Sequence, residues 1–328
     1  MSTQRTRREG MALLMVLLLV GVMSAIAVLV LDDVRFSTRR VSNTETGSMA
    51  QWYGISAERL ARRHIRRLHE ANLGRTPIEP VWDGRVFTFP IESGAVQVTL
   101  RDGQSCFNLN SVVQGTPGAL IARETGISQL VLLARGLGLA EPQARTVANS
   151  LADWIDSDDV SRPFGGEDGA YAGLTRPLRT SGALMVEASE LRTVRGVDPA
   201  AYRTLRPFIC ALPTADLSPL NPNTLAPADA PLLAMLGDGV ISLSAAREAI
   251  ASRPTGGWDN LAAFWSIPAL RQTGPPGQWR EQLTLRTRFF DFHAEVAHAD
   301  ATAVRTGLFE IALDNRIRTV ISRWIPED

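Results

Sequence analysis

Apolar and polar positions divide the chain into stretches of different period. From Met11 to Leu31 no residue is charged and nearly all are apolar. A run of about 20 such residues crosses the hydrocarbon layer of a membrane as one helix, whereas the apolar core of a removable secretory signal spans about 7–15. From Asp32 to Asn72 proline is absent and Ala, Arg, Glu and Leu recur, so the helix is predicted to continue until Asn72-Leu73-Gly74 stops it, with Gly47 and Gly54 as candidate bends. The period then changes to two. Arg85–Phe89, Ala95–Leu100, Phe290–Val296, Gly307–Leu313 and Arg318–Trp324 alternate apolar and polar positions between turn residues, which predicts antiparallel strands.

Between Ser111 and Leu283 the pattern is helical. Val147, Leu151 and Trp154 or Ile155 recur at helical spacing behind Glu141-Pro142, a proline placed for a first turn. Ala188–Val197 and Trp258–Ile267 share a short helix, a turn and a further apolar residue, which suggests two related subdomains. The expected class is α+β: a long N-terminal helix on an antiparallel sheet, with a large α-helical insertion. The boundaries are 1–10 for a leader, 11–31 for the membrane-spanning part of the helix and 32–73 for its outer part. Strands follow over 74–111, the insertion over 112–283 with subdomains 112–212 and 213–283, and the remaining strands over 284–328.

Composition changes this picture little. Thirty-four basic residues balance 34 acidic ones, and 45% of residues are hydrophobic, enough for a substantial core. A neutral chain lacks the field that gathers nucleic acid. Every basic residue is arginine, which reads as codon bias. The arginines at 5, 7 and 8 ahead of the apolar run keep the N-terminus cytoplasmic and put everything after Leu31 outside. Cys106 and Cys210 are either a disulfide pair, which an oxidising compartment permits, or two buried free thiols, and no CxxC spacing is present.

The richest chemistry lies between Asp153 and Asp168, where Asp153, Asp156, Asp158, Asp159, Glu167 and Asp168 surround a Gly165-Gly166 turn. Carboxylates this dense repel one another unless a cation or water separates them. Hard oxygen donors on a flexible loop suit calcium better than zinc or magnesium. Asp156, Asp158 and Glu167 fall at positions 1, 3 and 12 of an EF-hand count, but Val160 and Ser161 stand where a ligand and a glycine belong, so the loop is no EF-hand. A solvated acidic loop capping a helix is the plainer reading.

Catalytic patterns are missing. His64 and His69 do not share a helix face, His293 and His298 point to opposite sides of a strand, and the chain has neither a Walker glycine loop nor a Gly-x-Ser-x-Gly elbow.

A basic leader ending in Gly10, with the apolar run beginning at Met11, resembles the signal of type IV pilins and type II secretion pseudopilins. An ordinary uncleaved signal anchor is the other reading of the same segment. Met15 stands where most of these proteins carry a glutamate at the fifth mature position, and that departure resembles the protein K family of large minor pseudopilins. Cys106–Asn110, Asp153–Asp158, Ser189–Val197 and Leu220–Thr224 are similar to motifs of that family, in the same order. The resemblance implies cleavage by prepilin peptidase between Gly10 and Met11 with methylation of Met11, and an insertion of two sterile-alpha-motif-like (SAM-like) subdomains. It also implies Ca2+ on Asp153, Asp156, Asp158, Glu167 and Asp168. The protein is then expected in the bacterial inner membrane as a single-pass subunit, not an enzyme, at the tip of a periplasmic pseudopilus. Minor pseudopilins I and J are the expected partners, with contacts open to exported proteins and the outer-membrane secretin and no nucleic acid. The competing reading is a membrane-anchored helix-hairpin-helix DNA receptor, carried by Val194–Asp198 and Leu220–Thr224; there Asp198 takes the place of a second hairpin glycine and would repel a phosphate.

Overall fold

The computed structural model describes residues 3–237, 239–271 and 281–325. Helix α1 (Thr3–Ala71) is about 100 Å long at 1.5 Å per residue. Its apolar part stands clear of the rest of the molecule, with Leu14, Leu18 and Leu29 exposed. Farther on, Ala50, Ala57, Ala61, Ile65 and Leu68 recur on one buried face, and the small alanines let the helix axis lie close to a sheet. The helix runs through Gly47 and Gly54 without interruption, so the expected bends do not break it. Gly54 serves another purpose: a Cβ there would lie 2.7 Å from the Trp324 ring, so glycine admits the last strand against the helix.

That sheet is fully antiparallel, in the order β1 (Val86–Ile91), β2 (Gly94–Asp102), β7 (Phe289–His298), β8 (Ala301–Ile311), β9 (Ile317–Ile325). Strand alternation sends Val96, Val98, Leu100, Phe290, Phe292 and Val296 to the α1 side, where they form one core. Within it Glu58 of α1 is buried and meets Arg305 at 2.6 Å. Burial raises the Glu58 carboxyl, but hydrogen bonds with Arg305 and Arg62 outweigh that and hold it below its usual range.

The insertion leaves β2 and returns to its neighbour β7, and the two ends meet where the Gly103 amide donates to Phe289 O at 2.9 Å. It begins earlier than the sequence suggests. Strand β3 (Phe107–Asn108) lies outside the five-stranded sheet and pairs in parallel with β6 (Ile209–Cys210), because Phe107 and Leu109 are buried among the insertion's helices. A hairpin of β4 (Val113–Thr116) and β5 (Ala119–Ala122) follows, then α2 (Glu124–Gly136) and α3 (Glu141–Ile155), the latter with Glu141-Pro142 in its first turn and the Val147–Leu151–Ile155 stripe buried. Next come α4 (Asp168–Tyr171), a 3-10 turn over Ala188–Thr193 where a short helix is expected, and α5 (Pro199–Leu205). The second half holds α6 (Ala230–Ala234), α7 (Leu243–Ala251) and α8 (Leu261–Trp265). A single apolar core runs through both halves, from Phe107 to Leu283, so the two are fused rather than separately packed.

The halves nevertheless share a plan. Each opens on an Asn-x-Asn. In the first, Asn110 accepts from the Met185 amide at 2.7 Å and donates to the Met185 carbonyl at 2.8 Å. In the second, Asn223 accepts from the Trp258 amide at 2.7 Å and donates to its carbonyl at 3.0 Å. The ends of each half also meet, through β3–β6 in the first and a parallel bridge between Leu220 and Leu283 in the second. A side-chain amide is the group that can copy the peptide's donor and acceptor at once.

The insertion sits at the far end of α1 from the apolar run. Arg75, just past the helix, donates to Gly256 O at 2.7 Å and pairs with Asp259 at 3.0 Å. The opposite end of β7, at His298, lies over Tyr53, farther back along the helix.

Candidate metal site in the insertion

Helix α3 ends with its apolar stripe facing the core, and this buries Asp153 and Asp156 along with Leu151 and Ile155. Asp153 is fully buried. One of its oxygens accepts from the Arg162 amide at 3.1 Å and the Ser161 hydroxyl at 3.4 Å, and the other has no partner. Gly165 passes so close that a Cβ would fall 2.1 Å from the bonded oxygen, so this glycine is required for the loop to fold over the carboxylate. From behind, Arg195 donates to Gly165 O at 2.7 Å and the Arg195 amide donates to the Tyr171 hydroxyl at 3.2 Å.

The folded loop gathers Asp156, Asp158 and Glu167, whose nearest oxygens lie within 4.8 Å of one another. One oxygen of Asp156 and both of Glu167 are buried without a hydrogen-bond partner. Among the described residues no ion pair reaches Asp153, Asp156, Asp158 or Glu167; Arg162, the nearest cation in sequence, pairs with Glu124 instead. Burial, then repulsion from Asp158 and Asp153, pushes the Asp156 carboxyl up to about 7. Burial, then Asp153 and Asp156, does the same to Glu167, which also reaches about 7 against a smaller lowering by the nearby Thr180 hydroxyl, whose hydrogen bond goes to Asp168. Burial raises Asp153 as well. Orphaned oxygens, mutual repulsion that the more distant charge of Arg162 only partly offsets, and the lack of an ion pair among the described residues leave a gap that a hard cation fits. With metal–oxygen distances of about 2.3–2.6 Å, oxygens up to roughly 5 Å apart can share one calcium ion, and these lie within that reach.

Asp168 departs from the expected set. Its carboxylate accepts from the Thr180 amide at 2.8 Å and hydroxyl at 3.0 Å, which closes the long loop onto itself rather than facing the other acids. The part played by Arg195 carries no sequence signal, since it is remote from the acids in the chain, and Tyr171, although close behind Asp168, belongs to no motif that marks it.

Gly10 and Met11 both lie within α1. Cys106 and Cys210 are joined, with Cα atoms 5.8 Å apart, across the start and end of the first half. The DNA reading meets an obstacle: the Asp198 carboxylate accepts from the Ala200 and Ala201 amides, both at 2.8 Å, and so occupies the donors a phosphate needs.

A helix long and apolar enough to span a membrane, continuing into a helix-on-sheet head, defines the pilin-like class of anchored subunit. The family described as type II secretion system (T2SS), protein K, matches residues 105–214 and again 220–286, and the chain belongs to that family. The type II secretion system protein K of Pectobacterium carotovorum subsp. carotovorum is 32% identical over 315 residues, covering 94% of each chain. That of Aeromonas hydrophila is 31% identical over 318 residues and 95% of each. Among solved structures, a chain of the GspK–GspI–GspJ complex from the type 2 secretion system of enterotoxigenic Escherichia coli superposes with a TM-score of 0.75 at 27% identity. It covers 88% of this chain and 100% of that one.

Proposed function

We propose that this chain is a minor pseudopilin that caps the tip of a short periplasmic fibre and helps start its assembly, acting as a structural subunit rather than an enzyme. The observation that carries this is the insertion's place at the membrane-distal end of α1, where Arg75 meets Gly256 and Asp259. In a fibre each helix packs beneath the head of the subunit above, so a head enlarged at its far end fits where nothing lies above it. Likeness to a chain of the GspK–GspI–GspJ complex supports minor pseudopilins I and J as partners. The apolar run supports a single pass through the bacterial inner membrane with the N-terminus cytoplasmic. Met15 fits the first subunit placed, because a carboxylate among lipid tails is costly unless paired.

Within the head, Asp153, Asp156, Asp158 and Glu167 are the ligands proposed for Ca2+, which would neutralise the repulsion and hold the long loop. Prepilin peptidase would release residues 1–10 by cutting between Gly10 and Met11. Co-expression of the full chain with subunits I and J tests assembly, and intact mass tests processing. Recovery of the three together, with Met11 as the methylated terminus, is expected. A chain that repeats along isolated filaments would contradict the tip position.

A further inference from the structure

The sheet face opposite α1 is only partly covered by the insertion, and between them runs a cleft of ≈ 680 Å³. Its floor is the outward row of the strands: Thr99 and Arg101 of β2, Asp291 and His293 of β7, Thr306 of β8 and Arg323 of β9. Its far wall comes from the insertion, through Val186, Ala211 and Arg206. Arg323 is already paired, reaching Glu187 at 2.5 Å, so that contact ties the two walls together. Arg101 and Arg206 are different. Both attract Asp291, yet among the described residues neither guanidinium makes an ion pair or hydrogen bond. Each is a planar fork with five donors, suited to a carboxylate, and the single carboxylate of Asp291, opposite Arg101 across the β2–β7 ladder, bonds neither and cannot balance both.

We propose that this cleft binds an extended acidic segment of an exported protein, its carboxylates on Arg101 and Arg206 and its apolar side chains against Val186 and Ala211. The choice of occupant rests on the tip-subunit reading above: subunits of a fibre pack through α1, so the opposite face of the sheet points outward, away from sister subunits and towards periplasmic proteins. Charge agrees. Arg101, Arg206 and Arg323 outnumber Glu187 and Asp291 along the walls, which favours an anionic guest. An apolar strip beside paired guanidinium forks selects a chain that alternates acidic and apolar residues.

The test uses full-length protein in detergent, assembled with subunits I and J, and a fluorescein-labelled hexapeptide alternating glutamate with valine. Anisotropy should report saturable binding, weakened about tenfold when lysine replaces the glutamates and about tenfold by the double variant Arg101→Glu, Arg206→Glu. Arg316→Glu, on the remote β8–β9 turn, should leave it unchanged. Equal binding of the two peptides, or indifference to the double variant, overturns the proposal. Co-purification of I and J separates this from the tip reading: a double variant that keeps both subunits and loses the peptide supports the cleft, whereas one that loses I or J makes the cleft a subunit interface and overturns it. A photo-cross-linker at Ser189 in secreting cells gives the source: capture of an exported enzyme of the same system is expected, and capture of the I or J head overturns it.

Discussion

The two halves of the insertion solve one closure problem at different lengths. Each has an asparagine that holds the backbone of a residue downstream, 75 positions away for Asn110 and 35 for Asn223. In the shorter second half, the turn after α7 is sealed by Arg253, whose guanidinium donates to the Asn223 and Leu225 carbonyls, both at 2.8 Å. In the longer first half Arg195 seals the acidic loop in the same way, its guanidinium donating to the Gly165 carbonyl at 2.7 Å, but that loop also holds buried carboxylates that no arginine among the described residues pairs. An arginine alone closes the second half, whereas in the first the proposed Ca2+ would supply the positive charge that its unpaired carboxylates lack.

The largest effect expected from breaking the comparison is loss of the Cys106–Cys210 bond, which staples the first half's ends and has no counterpart in the second. For a loop of 104 residues its removal should cost about 4–5 kcal/mol. Urea denaturation of the Cys106→Ala, Cys210→Ala variant measures it. Next is calcium. At about a thousandfold excess over its dissociation constant the ion should add about 4 kcal/mol, on the order of 10 °C in Tm, and Asp156→Ala with Asp158→Ala should abolish the shift. Gly165→Ala should also abolish it, because the methyl displaces the loop from Asp153. Arg253→Ala, in contrast, should weaken the second half and leave the calcium shift intact.

The clasps come third. Asn110→Ala leaves the Met185 amide and carbonyl and the Leu212 carbonyl unmatched inside the core, and should cost about 3–4 kcal/mol. Asn223→Ala leaves only the Trp258 pair, partly exposed, and should cost about 2 kcal/mol. Equal losses would show that both halves depend on the clasp alike.

The smallest effect is a pH dependence that the two halves divide between them. Asp156 and Glu167 in the first half lie near 7 without a cation, and so does Asp102 at the root of the second, raised by burial despite the hydroxyls of Thr287 and Thr224. Folded values above the unfolded ones mean that the fold favours the protonated acids. Their contribution to stability is therefore greatest below about 4 and is lost as pH rises towards 7. In chelator, Tm should fall across that window. Calcium should remove the Asp156 and Glu167 share, and Asp102→Asn the remainder, both read from Tm against pH.

Helix α1, the strands of the main sheet and α3 are legible in the chain because each is a local period, three to four residues or two, set by one buried face. The alternation at Phe290–Val296 and the stripe Val147–Leu151–Ile155 need no knowledge of what they pack against. What the sequence conceals is pairing at a distance. Asn110 reads as a cap or turn residue, and nothing near it names Met185. Phe107 reads as the end of a sheet strand until Ile209 is seen beside it. The acidic loop lies between: its composition announces a site, but that Asp168 turns to Thr180 while Glu167 turns inward is decided by the fold of the loop.

The meeting of Gly103 with Phe289 makes the insertion a detachable cassette. The small head does not register how much chain lies between those two residues, because β2 and β7 would be neighbours whether a short turn or a whole helical module joined them. A gene can therefore enlarge or exchange what stands on the fibre's end without disturbing the part that assembles. A chain in which a short turn joins Asp102 to Phe289 should still lay its sheet on α1, as a plain pseudopilin without a cap.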